Sequence, residues 1–198
     1  MELDFRSFAF IITLAAVING LGMVRWLTAF AEYLRKRQSI RVDFYWVFVL
    51  AAAFQFLLHI VLWWSLWNAR QAETFNFLTY LYMLTGPVLL YLGTSLLVPD
   101  VDNNGVDLKE HYFRVRTSYT TVLILLYLWA IFLWPLLLGA FAPTVKILAI
   151  VAAVTFVMRV SDKPVVHKVA VILNWLLLVI FIAGFAMRLG GIGESMVQ

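Results

Sequence analysis

His59 is an imidazole set in an apolar run from Phe44 to Trp67, one helical turn after Gln55. Gln55, His59, Trp63 and Trp67 recur every four residues, so on a helix they form one stripe that drifts slowly round the axis. Imidazole titrates near neutral pH and can relay protons or ligate a metal or haem. An ionisable group deep in such a run marks a candidate functional site. Asn19, Thr85 and Asn174 fall at similar depth in other apolar runs. The expectation is an intramembrane polar site made of Gln55, His59, Asn19, Thr85 and Asn174, facing the interior of a helix bundle. The plainer alternative is that the same groups bond between helices and hold their register, at ~0.6–2 kcal/mol per bond. No carboxylate lies at that depth, so His59 is expected to be neutral.

Other chemistries fit less well. His111 and His167 lie near the boundary opposite to His59, so neither is at a depth to share a haem with His59 within one chain. No cofactor is expected, with haem shared by His59 of two chains as the minority alternative. The sequence has no cysteine, which excludes thiolate metal sites and cysteine nucleophiles. Asp100 to Gly105 follows the first half of a calcium loop, but Leu108 and His111 then stand where positions 9 and 12 need oxygen ligands. An acidic turn is expected there, and no metal. No acid can orient His59 and no strained, glycine-flanked serine is evident, so Ser-His-Asp hydrolysis lacks its parts. An enzyme is therefore not expected.

The elements that carry these residues are long. Of 198 residues 64% are apolar and 13% charged, with a mean hydropathy of +0.91. Soluble domains are about half apolar and a quarter charged. Uninterrupted apolar runs point to an all-α polytopic membrane protein, a single transmembrane domain over residues 1–198. Six transmembrane helices are expected at about 7–31, 44–67, 75–98, 117–141, 143–160 and 165–189. Ala29-Phe30-Ala31 resembles a signal-peptide cleavage site, but the run is too long and Arg35-Lys36-Arg37 follow it, so an uncleaved first span is expected. Ala16 and Gly20 would let another backbone approach the first span. Thr85-Gly86-Pro87 falls mid-way along the third, where Gly86 and Pro87 would form a hinge.

Lysines and arginines follow the loops. The loops after the first, third and fifth spans carry four, three and three. The other flanks carry one each: Arg6, Arg70, Lys146 and Arg188. Counting positive residues inside gives an N-out, C-out topology. Nucleic acid is not expected as a partner, because the basic residues flank apolar runs. Trp63, Trp64, Trp67 and Trp134 would then belong to an outer aromatic belt. The cytoplasmic loop 99–116 is the most polar segment. Asp107-Leu108-Lys109-Glu110 reads as a capping box opening an interfacial helix. His111, Arg114 and Arg116 on it would meet anionic lipid headgroups, or a cytoplasmic partner at 100–116.

The run Leu84-Thr85-Gly86-Pro87-Val88-Leu89-Leu90-Tyr91-Leu92, then Leu97-Val98-Pro99-Asp100 and Asp107-Leu108-Lys109-Glu110-His111-Tyr112-Phe113, resembles a group of small bacterial inner-membrane proteins without an assigned activity. That resemblance implies a multi-pass protein of the bacterial inner (cytoplasmic) membrane and assigns no functional residue. The leading functional expectation is a small channel or transporter with its site at Gln55 and His59, as a homo-oligomer, with a dimer as the guess. The alternatives are a non-enzymatic accessory or interaction protein whose polar residues are packing glue, and a haem- or quinone-binding redox subunit.

Overall fold

The computed structural model describes residues 5–36, 41–72, 75–99 and 105–187. The acidic turn at 100–104 and the glycine-rich tail lie outside the described residues. Among them the chain forms six α-helices: α1 (Phe5–Lys36), α2 (Trp46–Leu66), α3 (Phe77–Leu97), α4 (Leu108–Leu138), α5 (Val145–Val160) and α6 (Pro164–Phe181). In lipid the backbone must satisfy its own hydrogen bonds, and apolar runs of this length do so as helices.

Local signals set the ends. Asn76 accepts from the amides of Leu78 and Thr79, while Thr79 Oγ1 accepts from Asn76 N–H, which starts α3. Asp107 accepts from Lys109 and Glu110 N–H at the start of α4. Gly139, at φ 72°, ends α4 in the left-handed conformation that glycine reaches most readily. Pro164 opens the first turn of α6, where its missing N–H has no helical partner to lose.

Five helical segments are long and apolar enough to cross a membrane: Phe8–Lys36, Trp46–Gln71, Phe77–Leu97, Leu108–Leu138 and Pro164–Ala186. The architecture is that of an all-α, multi-pass membrane protein. α5 has 16 residues and reaches ~24 Å, shorter than a ~30 Å hydrocarbon core. The helix opened by Asp107 leads directly into the span expected at 117–141. Residues 108–138 make one continuous helix of 31 residues, because nothing between Arg116 and Thr117 breaks it. Leu14, Val17, Leu21 and Val24 lie exposed along α1, as suits a lipid-facing surface.

α2 touches α1, α3, α4 and α6. α3 lies between α1 and α4, α4 packs on α5, and α5 on α6. The connections gather at one end. Val42–Asp43 (β1) pairs in parallel with Val106–Asp107 (β2), joining the loop after α1 to the loop before α4. At Gly105 φ is +94°, and a Cβ there would fall on the Arg41 carbonyl oxygen. The first turns of α4 reach the α5–α6 turn through Arg116, which donates to Ser161 O at 2.6 Å and pairs with Asp162. At the other end Phe8 meets Trp67 edge-on at 5.9 Å, and Arg70 lies over the Trp67 ring. Trp63 and Trp64 are exposed there, but Trp134 is not part of that belt, being buried against the bundle.

Candidate functional site

α2 carries Gln55 and His59 on the face enclosed by α1, α3 and α4. His59 Nδ1 lies 2.8 Å from Asn19 Oδ1, and Asn19 Nδ2 donates to the His59 carbonyl at 3.1 Å. That carbonyl can only accept, so it fixes which way the Asn19 amide points. Oδ1 must then accept from Nδ1–H, which fixes the neutral imidazole tautomer. Nε2 is left as an acceptor, and Thr94 Oγ1 donates to it at 2.9 Å. Gln55 Nε2 donates to the Leu90 carbonyl at 3.0 Å and to Thr94 Oγ1 at 3.4 Å. Tyr119 O–H donates to Gln55 Oε1 at 3.3 Å.

The bonds run in one direction, from Tyr119 through Gln55, Thr94 and His59 to Asn19. They link α4, α2, α3 and α1. Gln55, His59 and Thr94 have no solvent-accessible surface, so no water-sized space adjoins them. Two glycines make the room. A Cβ on Gly22 would overlap the His59 ring, and one on Gly93 would stand 2.9 Å from Gln55 Nε2. The close approach on α1 thus occurs at Gly22, one turn from Asn19, and not at Gly20, where a Cβ would meet nothing within 4 Å.

Asn19, Gln55 and His59 are brought together, while Thr85 and Asn174 are not. Thr85 is exposed and donates to the Leu81 carbonyl of its own helix. Asn174 is buried between α5 and α6, with Nδ2 3.7 Å from Met158 Sδ. Thr94 and Tyr119, not singled out in the sequence, take part instead. Thr85 and Thr94 are nine residues apart, about half a turn round the helix at ~100° per residue, so they face opposite ways. The signal that favours Thr94 is Gly93 beside it, since a glycine in a span marks where another helix comes close.

Gly86 and Pro87, expected as a hinge, are buried inside unbroken α3. A Cβ on Gly86 would strike the Trp129 ring. Trp129 Nε1 donates to the Tyr82 carbonyl at 2.8 Å, and Tyr82 O–H donates to the Trp129 carbonyl at 3.1 Å. This reciprocal pair clamps α3 to α4 beside the proline.

Of the residues expected at a lipid or partner surface, His111 and Arg116 turn inward. His111 is buried, and its Nε2–H donates to the Leu97 carbonyl at the end of α3 at 3.0 Å. Arg114 remains exposed, with one arm 3.3 Å from His111 Nδ1. Arg116 caps α5 together with His167, whose Nε2–H donates to Ser161 O at 2.9 Å. The other His167 nitrogen accepts from Tyr112 O–H at 2.9 Å. Helix C-termini leave carbonyls unpaired, and cationic or N–H donors satisfy them. The reason for the inward turn is therefore local: α3 and α5 end beside α4, and its side chains supply the missing donors. Tyr45 packs on Tyr112 and Phe113 at this end, and burial raises its phenol pKa above the ordinary value.

All three histidines therefore have both ring nitrogens engaged, and among the described residues no group of three or more His, Cys, Asp or Glu could hold a metal ion. No family model, curated protein or solved structure matches this chain.

Proposed function

We propose that the chain is a non-enzymatic accessory protein of the inner membrane, a rigid six-helix scaffold whose intramembrane polar residues hold the helices together. One observation carries this reading over a channel or transporter: the network from Tyr119 to Asn19 is closed and dry. A conduction site must exchange its partners with water or cargo. Here each polar side chain is bonded to another helix, and Gln55, His59 and Thr94 are wholly enclosed. A proton relay is disfavoured for a second reason. Gln55 and Asn19 are amides, and a proton cannot hop through an amide without forming its high-energy imidic acid tautomer. Both ring nitrogens of His59 being in use likewise disfavours a haem or quinone site there.

The N-out, C-out arrangement of six spans belongs to the same proposal. The loops joined by β1–β2 and by Arg116 share one end, and the described basic residues around them include Arg35, Lys36, Arg41, Lys109, Arg114, Lys163 and Lys168. The opposite end carries Arg70 and Lys146. By the positive-inside rule that asymmetry supports a basic end facing the cytoplasm. α5 leaves the far end and returns to Ser161 beside Arg116, so it traverses the bundle despite its length. With His111 and Arg116 turned inward, the surface left for a partner or lipid headgroups on the first turns of α4 is Lys109, Glu110 and Arg114, all exposed.

Cysteine labelling tests the dry network. The sequence has no cysteine, so a single introduced thiol reports alone. In lipid vesicles, Thr94→Cys is expected to resist a small water-soluble thiosulfonate while Lys109→Cys reacts. Labelling of Thr94→Cys at a rate close to that of Lys109→Cys would restore the transport reading.

A further inference from the structure

α5 packs on α4 and α6 but scarcely on α2. The gap between α2 and α5 is a cleft of two adjoining cavities, about 90 and 60 Å3. Leu58, Val61, Tyr127, Leu148 and Phe181 line both. Val61, Ser65, Ala130 and Leu148 on its walls are only partly buried, so the cleft is reached from the side of the bundle. Its larger chamber lies beside Trp134 and Thr144, at the end opposite the basic loops. The second chamber ends at Asn174, and a third space of about 10 Å3 follows, with Asn174 again in its wall. The spaces therefore narrow towards one amide.

That amide is incompletely used. Asn174 is 5% exposed, and its Oδ1 has no hydrogen-bond partner. Its Nδ2 points at a thioether sulfur at 3.7 Å, a weak acceptor. Buried polar atoms are normally paired, so an acceptor beside an apolar cleft calls for a donor brought in by a ligand. The walls select the rest of that ligand. They are mostly aliphatic and aromatic side chains, with Ser65, Thr144 and Tyr127 as the hydroxyl-bearing residues of the two larger chambers, and the cleft opens where the surrounding solvent is hydrocarbon.

We propose that this cleft binds a membrane-resident lipophilic alcohol, one hydrocarbon chain lying in the two larger chambers with its terminal hydroxyl donating to Asn174 Oδ1. The Asn174 Nδ2 offers the hydroxyl oxygen a donor in return. The chain enters from the bilayer beside Leu148 and stops where the space narrows. No bond is made or broken, so this is a binding site and goes beyond the scaffold role.

The test uses the full chain in nanodiscs and two probes, 8-bromooctan-1-ol and its methyl ether. Bromine quenches indole fluorescence, and Trp129 and Trp134 line the larger chamber. The ether keeps the chain and loses the donor. One hydrogen bond predicts half-maximal quenching by the alcohol at a concentration about two- to ten-fold lower than by the ether. Asn174→Leu should abolish that preference while still binding both. Leu148→Phe, which narrows the entrance and leaves Asn174 in place, should weaken both. Equal quenching by alcohol and ether in the native chain, or a preference that survives Asn174→Leu, overturns the proposal.

Discussion

Gly22→Ala should change sign in its effect depending on what stands at position 59. In the native chain the new methyl overlaps the His59 ring, and that ring is held on both sides by Asn19 at 2.8 Å and Thr94 at 2.9 Å. It cannot move aside without breaking one of those bonds. Overpacking of this kind costs about 1–3 kcal/mol, and alanine regains up to about 1 kcal/mol over glycine within a helix. The net expectation is a loss of about 1 kcal/mol. His59→Ala alone removes the ring and both bonds. The cavity and the stranded Asn19 and Thr94 groups together cost about 3–5 kcal/mol. In that background the Gly22 methyl meets open space, so Gly22→Ala becomes stabilising by about 1 kcal/mol. The coupling between the two sites is then about 2 kcal/mol, well above the few tenths seen between independent positions. Reversible unfolding of the four proteins in mixed micelles measures it. An equal effect of Gly22→Ala in both backgrounds would refute the packing on which the lock depends.

Two further changes probe the loop end. Gly105→Ala places a side chain at φ +94° against the Arg41 carbonyl; it should cost about 1–3 kcal/mol and speed amide exchange at Val106, whose N–H bonds Arg41 O at 2.9 Å. His167→Ala strands the Tyr112 hydroxyl and removes one donor from Ser161 O. It should lower stability by about 2–3 kcal/mol, and adding Tyr112→Phe should cost less in that background than in the native chain, as read in the same unfolding assay.

Much of the fold could be read from the chain because lipid imposes simple rules. Apolar runs of this length had to be helices, although α1 runs on to Lys36 and α4 starts at Leu108 rather than near residue 117. The inward face of α2 was equally legible, since Gln55 and His59 are too polar to face hydrocarbon. Their partners were harder. Thr85 and Thr94 look alike in sequence, and a threonine can always bond back to its own helix, as Thr85 does with Leu81. Tyr119 gave no signal because tyrosines are common throughout such spans. Asn174 shares the chemistry of Asn19, but α6 turns it towards Met158 rather than His59. Which amide meets which histidine depends on helix order and rotation, and one chain read alone does not encode those locally. The same holds for His111 and Arg116, which look like surface groups until the ends of α3 and α5 are seen to lie beside them.

The most direct test of the lock is the imidazole of His59 itself, observed by solid-state nitrogen-15 NMR in bilayers, with His111→Gln and His167→Gln used to assign its signals. The bonding order from Tyr119 to Asn19 predicts a neutral ring with the proton on Nδ1, none on Nε2, and an Nδ1–H that persists for hours after transfer to D2O. A ring protonated on Nε2 or on both nitrogens, or a proton lost within the dead time of the exchange, would contradict it.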